Sequence, residues 1–180
     1  MFSLIINPSK LLSIFFAFVY LFLTGLHGNI AYHSLIIKTD GSLHTFGYNN
    51  FGQLGDGTTV NKNTPTQILA SGVAQIAAGN SHSLILKSDG SLHAFGLNSS
   101  GQLGDGTNTS RNTPTQIFAS GVSQIAAGWG HSLILKSDGS LHAFGQNNNG
   151  QLGDGTTINR NTPTQILASG VSQIAAGSIH

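Results

Sequence analysis

The chain repeats itself every 49 residues, and this period restricts the fold more than any other feature of the sequence. Four histidines mark the period: His33, His82, His131 and His180. Three units follow one another without insertion or deletion: 33–81, 82–130 and 131–179. Such a period is typical of solenoids, propellers and other arrays, whose units gain stability by stacking on their neighbours. We therefore expect residues 29–180 to form one array of three tandem repeats.

Each unit predicts four short strands and no helix. In the second unit, HSLILK (82–87) and SLHAFG (91–96) are rich in strand formers and flank a Ser-Asp-Gly turn, which indicates a hairpin. TQIFA (115–119) and VSQIAAG (122–128) predict two more strands, and Pro114 confines the third to an entry or edge position because proline has no N–H. Four antiparallel strands at this period favour an all-β fold, a partial β-propeller of about three four-stranded blades.

The units resemble a known repeat family. GQLG and DGT, together with Ala-Ala-Gly-x-x-His-Ser-Leu and Asp-Gly-x-Leu-x-x-Phe-Gly, are similar to the regulator of chromosome condensation repeat. The resemblance covers 33–180 and implies a seven-bladed propeller, in which a sequence unit begins in one blade and ends in the next. Three units are too few for such a ring, and the sequence stops one residue into a fourth. We therefore expect a fragment or short member of the family, an incomplete propeller that self-associates.

The heptapeptide GQLGDGT occurs once in each unit, at 52–58, 101–107 and 150–156. The resemblance implies a structural loop in which glycines allow tight backbone geometry, leucine fills an apolar gap and aspartate accepts backbone N–H bonds. A calcium loop would need several alternating oxygen ligands, whereas each unit supplies one aspartate here. The structural residues expected in this motif are Gly52, Leu54, Gly55, Asp56, Gly101, Leu103, Gly104, Asp105, Gly150, Leu152, Gly153 and Asp154.

The first part of the chain differs from the repeats. Lys10 is the only charge before Lys38, and it precedes the apolar run LLSIFFAFVYLFLTGL at 11–26. A basic residue before a short apolar core is typical of a secretory signal, and the run is short for a spanning helix, which needs about 20 residues. The weak cleavage site leaves an uncleaved anchor open. We predict a hydrophobic helix within 1–28 that acts as signal peptide or membrane anchor, and a secreted or cell-envelope location.

Composition gives little support for catalysis or nucleic-acid binding. Only 7% of residues are charged, the net charge is +1, and no basic patch of the kind that binds nucleic acid is present. Histidines are the titratable candidates, but no nucleophile–base pair or GxxxxGK phosphate loop stands out. A ring of imidazoles could hold a metal, yet a histidine repeated in every unit is more typical of hydrogen bonding to a neighbouring strand. We predict no enzyme activity and no catalytic, cofactor-binding or metal-binding residues.

The positions that differ between units lie mostly in loops. Repeat scaffolds vary the loops on one face to build binding surfaces, although neutral drift at exposed sites gives a similar pattern. The candidate partner-binding residues are Tyr48, Phe51, Leu97, Trp129 and Gln146. We therefore predict a non-catalytic scaffold that binds a protein, or a glycan, through its blade loops. The resemblance leaves open guanine nucleotide exchange on a small GTPase, and a glycan-binding or metal-assisted enzyme is a further alternative.

Overall fold

The structure, a computed structural model, describes residues 31–178. This part of the chain is all-β and forms three antiparallel sheets. Sheet 1 contains β1 (His33–Ile37), β2 (Leu43–Gly47) and β3 (Lys62–Leu69). Sheet 2 contains β4 (Val73–Ala78), β5 (His82–Lys87), β6 (Leu92–Gly96) and β7 (Arg111–Phe118). Sheet 3 contains β8 (Val122–Ala127), β9 (His131–Lys136), β10 (Leu141–Gly145) and β11 (Arg160–Leu167). Neighbours in each sheet follow the order of the chain.

Among the strands of residues 31–178, four are found in each of sheets 2 and 3, as expected of every blade, and three in sheet 1. The residues one period before β4 precede β1 and lie outside the described part of the chain, so sheet 1 is described with three strands. Residues 171–177, one period after β8, also form no strand. The equivalent strands pair with the His-Ser-Leu strand of the following unit, and the sequence contains only the first residue of that partner. The hydrophobic helix expected within 1–28 lies outside the described residues.

Sequence units and sheets are offset from each other. β4 is the last strand of the first unit, yet it pairs with β5 of the second unit, from Val73 opposite Lys87 to Ala78 opposite Ser83. β8 pairs with β9 in the same way. The last strand of each of the first two units is therefore built into the next sheet, as the family resemblance implies, and this pairing holds consecutive units together.

The third strand of the second unit is longer than the sequence predicts. β7 begins at Arg111 rather than at Thr115, and Pro114 lies inside it. The ladder between β6 and β7 shifts register between Ala94 and Gly96, which indicates a bulge. Because β7 is also the edge strand of its sheet, the missing N–H of Pro114 leaves no ladder hydrogen bond unmade. The predicted edge position is confirmed, whereas the predicted start was wrong.

The apolar core lies between the sheets. Along β6, Leu92 and Ala94 belong to a cluster shared with sheet 3, and Phe95 belongs to a cluster shared with sheet 1. Side chains alternate across a strand, so sheet 2 is apolar on both faces. Each fully buried Leu or Phe contributes about 1.5–3 kcal/mol to folding. The stability of one sheet therefore depends on contact with its neighbours.

Candidate functional site

The GQLGDGT heptapeptides, called corners 1, 2 and 3 in chain order, are held by a buried ionic network. In corner 2, Oδ1 of Asp105 accepts bonds from the backbone N (2.9 Å) and Oγ1 (2.7 Å) of Thr107, and Oδ2 accepts a bond from Arg111 Nε at 2.8 Å. Burial opposes ionisation of Asp105, but the hydrogen bonds from Thr107, Arg111 and Asn98 outweigh it and hold the carboxyl pKa below its usual range. The carboxylate is thus engaged in structure.

An asparagine just before each corner is a structural residue that the sequence analysis missed. In the first unit, Nδ2 of Asn49 lies 3.1 Å from Asp56 Oδ1 and from the carbonyls of Thr58 and Val60. Its Oδ1 accepts a bond from Leu54 N at 2.9 Å. Three fully buried asparagines share this role: Asn49, Asn98 and Asn147. Asparagine is common in the long loop of each unit, so only its recurrence at the period of 49 residues could have indicated the role.

We expect Asn49→Ala to lower the free energy of unfolding by about 2 kcal/mol, because the buried N–H of Leu54 and the carboxylate of Asp56 would each lose a hydrogen-bonding partner. Asn50→Ala is the control, since Asn50 is exposed. Urea denaturation followed by circular dichroism gives both values. Equal stability of the two variants would contradict the role assigned to Asn49.

The glycines of the corners are the contact points between sheets. A Cβ on Gly55 would lie 2.8 Å from Cε2 of Phe95, and a Cβ on Gly104 would lie 2.8 Å from Cδ2 of Phe144. Both aromatic rings are fully buried in the following sheet. Gly57 N donates to the carbonyl of Asn112 at 2.8 Å, and Asn112 Nδ2 donates back to the carbonyl of Gly57 at 2.8 Å. Corner 1 therefore joins sheet 1 to sheet 2.

Buried histidines form a second link between the sheets. Nε2 of His33 lies 2.7 Å from Ser83 Oγ, and Nε2 of His82 lies 3.0 Å from Ser132 Oγ. The hydroxyl of Ser83 donates to the carbonyl of Gln53 at 2.8 Å. That hydroxyl proton is used, so His33 must donate through Nε2–H, and its neutral form is therefore the Nε2–H tautomer. The hydrogen bond to a neighbouring strand, expected from the sequence, is present.

Both histidines are held in the neutral form. Burial lowers the pKa of His33 to about 4. Burial, reinforced by repulsion from His33 and His131, lowers the pKa of His82 to about 3. Nδ1 of His33 and of His82 are buried without a hydrogen-bond partner, so a second proton on either ring would have no acceptor. Among the described residues, no three His, Asp or Glu side chains come together as a metal site.

A second set of histidines lies in the hairpins. In the first hairpin, Ser42 Oγ donates to Asp40 Oδ1 at 2.6 Å and lies 3.3 Å from His44 Nε2. The serine proton is directed to the carboxylate and not to the imidazole, so this is not the Ser–His–Asp order of a nucleophile and its base. The arrangement recurs at His93 and His142. It closes the hairpin turn.

An aromatic pocket lies at one end of sheet 1. The ring centroids of Tyr32 and Tyr48 are 6.2 Å apart, and those of Tyr48 and Phe51 are 6.3 Å apart, both with edge-to-face geometry. With Asn80 and Ser81 these rings line an open cavity of about 370 Å³. Tyr32 is 59% exposed and Phe51 39% exposed. We call these five residues the aromatic pocket.

The other candidate residues, Leu97, Trp129 and Gln146, lie outside the pocket in loops of sheets 2 and 3. Leu97 and Gln146 follow strands equivalent to the one before Tyr48, and the three backbone N–H groups donate to equivalent carbonyls: Tyr48 to Tyr32, Leu97 to Ser81 and Gln146 to Gly130. Trp129 is 43% exposed and occupies in sheet 3 the position that Asn80 occupies in sheet 2. The structure thus brings Tyr48 and Phe51 together, and it places Leu97, Trp129 and Gln146 in neighbouring loops.

Tyr32 was not predicted as a site residue because the aligned units begin at His33, one residue later. Its position corresponds, one period earlier, to Ser81, which is a variable position. Extending the alignment by one residue before His33 would have placed a third aromatic residue beside Tyr48. No helix within residues 31–178 is long and apolar enough to cross a membrane.

Comparisons with known proteins agree with this architecture. The family described as Regulator of chromosome condensation (RCC1) repeat matches residues 40–86, 89–135 and 138–180, about three quarters of the chain. A second family of the same description matches residues 73–102 and 122–151.

Two solved structures are similar in fold. Prp20p from Saccharomyces cerevisiae, a protein described with binding properties to Gsp1p and histones, is 24% identical with a TM-score of 0.67, over 86% of this chain and 41% of that chain. The structure of Kap60 bound to yeast RCC1 (Prp20) gives 25% identity and a TM-score of 0.67, over 81% of this chain and 38% of that chain. The present chain therefore spans about two fifths of the length of these structures. With three matched repeats folded as propeller-like sheets, the chain belongs to the regulator of chromosome condensation (RCC1) repeat family.

Proposed function

We propose that the chain is a non-catalytic scaffold that binds a protein partner through the loops around the aromatic pocket. The observation that carries this proposal is the exposed cluster of Tyr32, Tyr48 and Phe51 around one cavity. Exposed aromatic rings are favoured at the centres of protein interfaces because they bury a large area with little loss of side-chain freedom. Export or anchoring through residues 11–26 stays part of the proposal.

The chemistry of the pocket favours a peptide segment as its ligand. Its rings offer apolar contact to the side chains of a peptide, and its polar edge is formed by Asn80 and Ser81, whose side chains are hydrogen-bonded to each other. A volume of about 370 Å³ fits a few side chains of a partner. The structural relatives give independent support for the partner class, since Prp20p is described with binding properties to proteins. Nucleotide exchange on a GTPase stays a prediction from the resemblance.

The test is comparative capture from extract of the source cells, quantified by mass spectrometry. The triple variant is Tyr48→Ala, Phe51→Ala, Trp129→Ala. We expect it to capture at least tenfold less of the proteins that the unsubstituted chain enriches. The control variant is Val60→Ala, Ile158→Ala, Leu167→Ala, which removes apolar side chains that lie elsewhere and are more exposed, at 62%, 62% and 50%. It should retain the same proteins.

Two results would contradict the proposal. Retention of the captured proteins by the triple aromatic variant would show that another surface binds them. Loss of binding on a glycan array by the triple variant, without any change in captured proteins, would instead support the glycan alternative. Circular dichroism of both variants shows whether the sheets are intact.

A further inference from the structure

We propose that corner 3, GQLGDGT at 150–156, binds sheet 1 of a second copy of this chain in the way that corners 1 and 2 bind the sheet that follows them. The proposal does not rest on the proposed function, since it is argued from the corners and from the apolar faces of the sheets. It concerns two apolar faces at opposite ends of the array of three sheets.

The joints inside the chain define what a corner binds. Corner 1 places Gly55 against Phe95, and corner 2 places Gly104 against Phe144. The backbone of Gly106 in corner 2 exchanges two hydrogen bonds with Asn161, of 2.8 and 3.0 Å, just as Gly57 does with Asn112. Each corner therefore requires two residues from the next sheet. One is a phenylalanine on the third strand of that sheet, and the other is an asparagine on its fourth, outer strand.

Corner 3 has the same residues, and no further sheet of the described residues lies against it. A Cβ on Gly153 would meet no atom closer than 3.5 Å, and a Cβ on Gly155 would meet nothing within 4 Å. Apolar side chains on the same face of sheet 3 are also partly exposed to solvent. Leu133 and Leu141 are half-buried, although their equivalents in sheet 2, Leu84 and Leu92, are fully buried against sheet 3.

Sheet 1 carries the complementary half of the joint. Ile36, Phe46 and Asn63 stand one period before Ile85, Phe95 and Asn112, which face the preceding sheet. Ile36 is 40% exposed, whereas Ile85 is fully buried. Phe46 is half-buried and Asn63 is exposed. Sheet 1 thus presents the isoleucine, phenylalanine and asparagine that corner 3 lacks.

A second copy of the chain is the occupant that these faces fit. The two faces repeat, residue for residue, the halves of joints already formed twice within the chain, so the geometry of the contact is established. The net charge of +1 gives little repulsion between copies. Within residues 31–178 each copy has one face of each kind, so the association is head to tail and produces a ring or an open chain.

Cysteine pairs test the contact, because the natural sequence has no cysteine. A Cβ on Gly57 would lie 3.9 Å from Cγ2 of Thr113, so side chains at these two positions are in contact. The full-length variant Gly57→Cys, Thr113→Cys is therefore the control and should form a bond within one chain. The full-length variant Thr64→Cys, Gly155→Cys should form bonds between chains, with products at multiples of 18.7 kDa under non-reducing conditions. Gly57 and Gly155 have similar φ values of +80° and +76°, so backbone strain is matched.

Charge substitutions distinguish this contact from unspecific aggregation. Adding Ile36→Lys to the Thr64→Cys, Gly155→Cys pair should reduce the linked products at least tenfold, because a lysine would enter an apolar joint. Adding Val60→Lys, also exposed but away from this face, should leave them unchanged. Light scattering on the chain without cysteines should give a mass above one chain that Ile36→Lys lowers.

Three outcomes would overturn the proposal. The first is a mass of one chain by light scattering at about 100 µM, the concentration range in which weak contacts form. A monomer of this kind would result if residues 1–30 of the same chain covered sheet 1. The second is an absence of linked products in a preparation where the control pair closes. The third is linked products that Ile36→Lys and Val60→Lys affect equally.

Discussion

Lowering the pH from 7 to 4.5 is expected to remove roughly 5 kcal/mol of the free energy of unfolding, enough to unfold most domains of this size. The cause is the pair of buried neutral histidines that join the sheets. The pKa of His33 in the folded chain is about 4 and that of His82 is about 3, below the ordinary value of 6.5. The folded chain therefore resists a proton that the unfolded chain accepts.

The pH window follows from those values. Above pH 6.5 both states hold neutral imidazoles, and stability does not depend on these groups. Below pH 6.5 the unfolded chain gains protons first, so stability falls as the pH falls, by about 1.4 kcal/mol per unit for each histidine. The loss continues until the pH reaches the folded pKa of about 4 for His33 and about 3 for His82.

Urea denaturation at several pH values between 7 and 4.5 measures the effect. The aspartates add little in this window, because the unfolded carboxyls gain protons mainly near their ordinary pKa of 3.8, which lies below pH 4.5. Their lowered pKa values in the folded chain, for example at Asp56 and Asp105, reduce stability in the same direction at lower pH. His93 and His142 act in the same direction but are more exposed, and their effect is smaller. His82→Gln should be less stable at pH 7 and should show a shallower dependence on pH. A stability that stays constant between pH 6.5 and 4.5 would contradict the prediction.

Gly79→Ala is expected to destabilise the fold by about 4 kcal/mol, through overpacking and the loss of a buried hydrogen bond. A Cβ on Gly79 would overlap Cε1 and Nδ1 of the His82 ring, and it would lie 2.8 Å from the carbonyl oxygen of Gly128. The ring is fully buried and bonded to Ser132, so it can move away only by breaking the link between sheets 2 and 3. Gly79 and the histidine thus require each other.

Two variants separate this clash from a general cost of replacing glycine. Gly72→Ala meets no atom within 4 Å and carries only backbone strain at a φ of +81°, which costs about 1 kcal/mol. In a His82→Ala background the ring is absent, and the added methyl of Gly79→Ala should cost much less than in the natural chain. Thermal or urea unfolding gives all values. Equal costs of Gly79→Ala in both backgrounds would show that His82 is not the obstacle.

The fold was predictable where local chemistry decides it. The Ser-Asp-Gly turn of the second unit predicted the β5–β6 hairpin, and Gly90 has the positive φ of +80° that such a turn requires. The start of β7 was not predictable, because residues 111–114 read as a polar loop and become strand only through irregular pairing with β6. The offset between unit and sheet came from the family resemblance, since strand propensity does not show which hairpin a strand joins.

The candidate site was predictable in part for the same reason. Tyr48 and Phe51 differ from their counterparts in the other units, and this variation pointed to the pocket they share. The role of Asn49 depends on four contacts that exist only once corner 1 has folded. The role of Gly79 depends on a ring three residues later in a different strand. Neither residue type, in loops rich in both, signals such contacts.

The displacement of each sequence unit across two sheets has a genetic consequence. Removing or duplicating any 49 consecutive codons within the repeats would leave every strand beside a partner of the right kind. The position of the cut does not matter, because the residues on either side of it are equivalent to those one period away. A change that is not a multiple of 49 residues, and that removes part of a strand, would leave that strand's partner incompletely paired. Recombination between repeats would therefore lengthen or shorten the array by whole sheets without disturbing the join.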